Sequence, residues 1–206
     1  MNKSISKDQI IETALDLMKD RSDIRSINLR EIARALGCAH TNLYNYFPSF
    51  NDLLWEAHIV IQKKIISELY VRLANMQDQS NKLQCFFSTL ADQYLEHRGW
   101  FRLAWLDYID DVRPDNDIIA TEEAVSSMVE VLKNIWEDSC HEVVDREKIY
   151  WVLHNVHCYI IGEVSNYFNG RRLISDEEEL KNHIADTCLM IFTLCLERSM
   201  IDRNAI

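Results

Sequence analysis

The sequence predicts an all-α protein of about nine helices, a three-helix head followed by a larger helical body. Three observations predict it. Only four Gly and two Pro occur in 206 residues, so few positions break a helix. Apolar residues recur at spacings of three and four along most of the chain. Polar connectors (RSDIRSI, NMQDQSN, DDVRPDN and FNGRRLIS) divide these stretches.

Ser6 and Gln9 have the spacing of a capping box and open the first helix. Its apolar face, Ile10, Ile11, Ala14, Leu15 and Met18, ends near Asp20. Asn28 caps a second helix, with Glu31 at the matching third position and Leu29, Ile32, Ala33 and Leu36 as its buried stripe. Gly37 follows where a left-handed residue is wanted, and Cys38 and Ala39 complete a short turn. A third helix is expected from about His40 to Phe47, with Leu43 and Phe47 one turn apart and Pro48 as its stop. Ser49 caps a fourth, with Asp52 at its third position and Leu53, Leu54 and Trp55 beyond. This fourth helix is placed at about 51–76, and five more at about 80–97, 99–109, 116–139, 144–169 and 175–200. The domain division falls near residue 50: a head at 1–50 and a body at 51–206.

Hydrophobic residues make up 48% of the chain, enough for a sizeable core. The net charge of −11 argues against a protein that coats nucleic acid over its whole surface. Residues 1–55 carry seven basic and seven acidic residues, so the whole excess lies in the remainder. A neutral head on an acidic body suits a DNA-binding head; two domains of merely different composition fit equally well. Six Cys occur without a CxxC, and MNKSISKDQI lacks the apolar core of a secretory signal. A cytoplasmic protein with small buried thiols is the expectation, and no apolar run is long enough for a bilayer. No P-loop, GxGxxG, HExxH or GxSxG occurs. The carboxylates of Glu177, Glu178 and Glu179 sit at a helix start, and Asp110 and Asp111 in a connector. An enzyme is not expected, nor a cofactor.

Two short helices across a Gly-containing turn make a helix-turn-helix. The segment IIETALDLMKDRSDIRSINLREIARALGCAHTNLYNYFPSFNDLLWEA resembles the N-terminal domain of TetR-family regulators. The resemblance rests on the aliphatic first helix, LREIARALG, LYNYF and the FPS-x-x-DLL step, about the first quarter of the chain. His40 and Thr41 stand where that family often has Lys and Gly, and Phe50 where Lys is common. The resemblance implies a DNA-binding transcriptional regulator, usually a repressor, acting as a homodimer on a palindromic operator of double-stranded DNA. A small-molecule effector would be held in the body.

On the outward face of the third helix lie His40, Thr41, Asn42, Tyr44, Asn45 and Tyr46. Asn pairs bidentately with adenine, and Thr bonds a base or touches a thymine methyl. Thr41, Asn42 and Asn45 are therefore the base-reading candidates. By resemblance Tyr44 and Tyr46 are phosphate contacts, with Arg30 a further one; rim packing is the plainer reading of the tyrosines. The last two long helices would pair with their twins, through Val152, Val156, Tyr159 and Ile160 on one and Ile184, Cys188 and Ile191 on the other. The same stripes also read as each protomer's own core. Candidate effector lining is Phe87, Tyr94, His97, Trp100, Phe101, Trp105, Tyr108, Trp136, Trp151 and His154, a set that reads equally as packed aromatic core. The fourth helix, with Trp55, His58, Ile59 and Gln62, would carry movement from body to head. A sharper alternative is a metal, haem or redox sensor, because His154, His157 and Cys158 share one helix face at i, i+3 and i+4. Another is a TetR-like protein that organises DNA.

Overall fold

A computed structural model describes residues 5–76, 78–109, 112–141 and 143–203. Eight α-helices appear among them: α1 (Lys7–Met18), α2 (Leu29–Leu36), α3 (Phe50–Asn75), α4 (Lys82–Glu96), α5 (Arg98–Phe101), α6 (Asp115–Cys140), α7 (Arg146–Phe168) and α8 (Glu177–Arg203). A 3₁₀ segment at His40–Asn45 takes the place of the third expected helix, and no strand occurs among the described residues. With that segment the expected nine helical elements are all present, so the fold class is all-α.

The helix starts form where capping chemistry puts them. Ser6 and Gln9 satisfy each other's backbone N–H at 3.0 and 3.2 Å. Ser49 and Asp52 do the same ahead of α3, at 2.8 and 3.1 Å. Asn28 accepts from the N–H groups of Arg30 and Glu31. Glu31 itself turns to Arg21, at 3.2 Å, so the second capping box is only half made. Gly37 closes α2 in the left-handed conformation, φ +68°, with Cys38 N–H reaching back to the Ala33 carbonyl.

Two expectations change. The segment after Gly37 is a 3₁₀ helix because it is too short to propagate an α-helix: Ala39 offers no side-chain cap and Pro48 has no N–H to extend the ladder. The helix expected at 99–109 is one α turn followed by a π-helical stretch, Arg102–Leu106, in which the Asp107 N–H bonds the Arg102 carbonyl. Nor are the thiols generally buried: Cys140, Cys158 and Cys195 are exposed, Cys38 and Cys85 half-buried, and Cys188 alone is enclosed.

The chain divides into two compact units, Met1–Lys64 with His97–Thr121, and Ile65–Glu96 with Glu122–Ile206. This division does not follow a cut at residue 50, because α3 is continuous and its first half belongs with the head. In the first unit, Ile10, Ala14, Leu15 and Met18 of α1 are buried together with Ile24, Ile32, Leu43, Phe47 and Leu54. The segment from His97 docks on the end of α1. Gly99 N–H bonds the Lys19 carbonyl at 2.8 Å, and Trp100 Nε1–H bonds the Leu15 carbonyl at 2.9 Å. A Cβ at Gly99 would lie 1.8 Å from the Met18 carbonyl oxygen, so no larger residue fits this approach.

The second unit is built on α4, α7 and α8, with α4 and α7 both packed on α8. Its core sets a few aromatic rings among aliphatic side chains. Phe87 and Trp136 stack on Phe192 at 5.6 and 6.0 Å between centroids. Tyr94 and His157 share a 2.6 Å hydrogen bond. Burial pushes the His157 pKa down to about 4, so the ring is neutral at pH 7 and its Nε2 accepts from the tyrosine.

Candidate functional site

Leu43 and Phe47 are buried and anchor the 3₁₀ segment, which leaves Thr41, Asn42, Tyr44, Asn45 and Tyr46 exposed together, with His40 half-buried beside Tyr44. Alternation of one apolar anchor with outward polar residues is what a short reading helix needs. Tyr44 is 51% exposed and suits a phosphate contact. Tyr46 does not: its hydroxyl donates to the Ile5 carbonyl, which ties the start of the chain to the rim of the head. Arg30 is exposed on α2 as expected. Arg34, one turn further and also exposed, was not singled out from the sequence, although its i+4 spacing from Arg30 was the available signal. Neither enters an ion pair among the described residues. Lys7, Arg21 and Lys64, by contrast, are paired with Glu56, Glu31 and Glu12.

The first unit also carries a cleft-like cavity of about 420 Å³, open on one side, lined by Trp55, His58 and Gln62 of α3, by 103–105 and 107–109, and by Arg113 and Thr121. One wall is a polar network. His58 Nδ1 lies 2.6 Å from Asp117 Oδ1, and the Asp117 side chain is wholly enclosed. A carboxylate only accepts, so the proton is on Nδ1. Gln62 Nε2 stands 3.2 Å from His58 Nε2 and 3.1 Å from Thr121 Oγ1. Arg113 Nε donates to Asp117 Oδ2 at 2.6 Å, and its Nη2 donates to Thr121 Oγ1. Burial pushes the Asp117 carboxyl up, but the hydrogen bonds and positive charge of His58 and Arg113 outweigh it, and the carboxyl is held below its ordinary value. Asp107, the other carboxylate of the wall, is paired with Arg102 at 2.6 Å. The cavity wall is tied to the head: Arg25 donates to the Tyr108 carbonyl at 2.9 Å and to Asn51 at 3.0 Å.

Of the residues expected to line an effector site, the cavity brings together only Trp105 and Tyr108. Phe87, Tyr94, Phe101 and Trp136 are filled into packed cores. Trp100 and His97 lie against each other at 4.1 Å beside α1. Trp151 and His154 are exposed on α7. The residues of the expected dimer stripe lie mostly inside the second unit. Val152, Val156, Ile160, Ile184 and Cys188 are buried within the second unit itself and have no surface left for a second copy; Tyr159 and Ile191 are half-buried. Among the described residues, the large apolar side chains exposed on those helices are Tyr150, Trp151, Met190 and Leu194. The three residues of the metal alternative do not converge: His157 is turned inward to Tyr94, while His154 and Cys158 are exposed. No group of three or more His, Cys, Asp or Glu among the described residues is placed to hold a metal ion. No helix of these residues is long and apolar enough to cross a membrane.

A short capped helix, a tight turn, a short exposed 3₁₀ segment and a helical body define a helix-turn-helix head joined to an all-α body. The fold is that of the TetR-family transcriptional regulators. A tetR-family regulator from Streptomyces coelicolor superposes with a TM-score of 0.67, over 96% of this chain and 92% of the other, at 16% identity. The fatty acid degradation regulator FadR from Bacillus halodurans gives 0.63, over 89% and 98%, at 15% identity. The FadR of Bacillus subtilis, solved in complex with stearoyl-CoA, gives 0.64, over 89% and 97%, at 14% identity. No family model matches the sequence, and no curated protein matches it.

Proposed function

We propose that the chain is a DNA-binding transcriptional regulator, a homodimeric repressor that leaves a palindromic operator when a small-molecule effector enters the cavity of the first unit. The observation that carries this reading is the exposed row Thr41, Asn42, Tyr44 and Asn45 held over buried Leu43 and Phe47. Asn42 and Asn45 would read adenine edges, Thr41 a base or a thymine methyl, and Tyr44, Arg30 and Arg34 the phosphates. One such segment reads few base pairs, so two copies on a two-fold site supply the rest. By likeness to the family, α7 and α8 would meet their twins. Exposed Trp151, Met190 and Leu194 supply apolar area there, and exposed Gly162 permits close approach.

The Bacillus subtilis neighbour holds an acyl-CoA. The cavity here is within the usual size of small-molecule sites, roughly 300–1,000 Å³. Coupling would run through Arg25, which joins the Tyr108 carbonyl on the cavity wall to Asn51 at the start of α3. A ligand that moves Tyr108 moves that joint, and with it the separation of two reading segments that must match successive major grooves roughly 34–36 Å apart. Duplexes selected from a random pool by the purified protein, followed by gel-shift titration, test the reading. Tyr44→Ala should weaken binding to selected and scrambled duplexes alike by roughly tenfold. Asn45→Ala should relax preference at one base position by a similar factor. Unchanged binding in both variants, with melting curves like the parent's, would overturn the assignment.

A further inference from the structure

We infer that the ligand of the cavity is a planar aromatic carboxylate, its rings against Trp55 and Trp105 and its carboxylate on Arg113. This rests on the reading of the cavity as the effector site and names what that site selects. The rest of the lining is mostly apolar, with the two indoles of Trp55 and Trp105 beside Leu103, Ala104 and Ile109. Flat rings bury the most area against such a wall at little cost in ordering. At about 420 Å³ the cavity suits two or three fused rings rather than a long chain.

Charge decides the other end of the ligand. The two carboxylates described at the cavity are both paired. Asp117 is enclosed by His58 and Arg113, and Asp107 is held by Arg102. A cationic ligand would therefore find neither of them free. Arg113 offers the opposite. Its side chain is 41% exposed at the cavity, with Nε and Nη2 bonded to Asp117 and Thr121 and Nη1 without a hydrogen bond among the described residues. Asp117 fixes the plane of the guanidinium, so its remaining N–H groups are already oriented for an incoming carboxylate.

The test uses the full chain and three naphthalenes of one shape, naphthoate, naphthamide and naphthylmethylammonium, with binding read from tryptophan emission. Naphthoate should bind most tightly, the amide roughly tenfold more weakly and the ammonium weaker still. Arg113→Met should erase the preference for naphthoate over the amide. Arg113→Lys, which keeps the charge beside Asp117, should retain part of it and serves where the first variant melts early. Ala104→Phe, which fills the cavity, should block all three. If the amide or the ammonium binds as tightly as naphthoate and Ala104→Phe blocks it, the ligand class is wrong and the cavity reading stands. If no naphthalene binds, or Ala104→Phe changes nothing, the cavity reading itself falls.

Discussion

The segment 28–47 and the segment 97–121 carry the two halves of the proposed function, and they are held in opposite ways. In the first, the contacts that shape the backbone are local: Asn28 caps its own helix, Gly37 and Cys38 close it, and Tyr46 N–H bonds Leu43, while the side chains of Glu31 and Tyr46 reach further, to Arg21 and Ile5. In the second, the contacts that dock the segment reach far along the chain. Gly99 bonds Lys19, Trp100 bonds Leu15, Tyr108 bonds Arg25, and Asp117 bonds His58. A locally fixed segment keeps its shape when its surroundings shift, which suits a surface that must match a groove. A remotely fixed one reports on distant elements, which suits a sensor. The contrast predicts that damage to 97–121 costs global stability, while damage to 28–47 costs mainly binding.

The largest effect should come from Gly99→Ala. Its new methyl group would overlap the Met18 carbonyl, and backbone lies on both sides of the clash. The docked segment must lift from α1, at about 3 kcal/mol. Urea denaturation measures it; a loss under about half that would mean the contact with α1 yields easily, and the contrast would weaken. Asp117→Ala comes next. The carboxylate is wholly enclosed, but its partner Arg113 differs from a member of a trapped ion pair, being 41% exposed to water. The cost is therefore below that of breaking a fully buried pair, about 2 kcal/mol. The same melts check it, and a neutral result would mean that the network does not hold α6 to α3.

The same contrast explains what could be read in the sequence. Caps and turns depend on residues three to five apart, so Ser6, Asn28, Gly37 and Ser49 announced their roles. The exposed reading face followed from two buried anchors in LYNYF. The cavity did not follow, because nothing local separates an aromatic that lines a space from one that fills it: Trp105 lines, Trp136 fills. Arg113 lies in a connector that reads as solvated. Asp117, in the first turn of α6, reads as an acid complementing the helix dipole, and only its partner 59 residues away shows otherwise. The expected dimer stripe was open to two readings for a related reason. Apolar periodicity marks the face a helix buries, and in α7 and α8 that face is spent on their own unit. Tyr46 was taken from the phosphate by Ile5, 41 residues away.

The smallest effect sharpens the contrast most. Asn28→Ala removes the side-chain oxygen that accepts the Arg30 and Glu31 N–H groups, and a lost cap of this kind costs about 1 kcal/mol. Its consequence should stay inside the segment it caps. The first turn of α2 frays, Arg30 loses its fixed place, and DNA affinity falls in gel shift by roughly as much as that free energy allows, about fivefold. Naphthoate affinity should not change, because no contact of Asn28 reaches the cavity wall. The reciprocal holds for Arg113→Lys, which should alter naphthoate binding and leave ligand-free DNA affinity as it was. A change in naphthoate binding on losing the cap would mean that α2 and the cavity move as one body, and that the head is part of the sensor rather than its output.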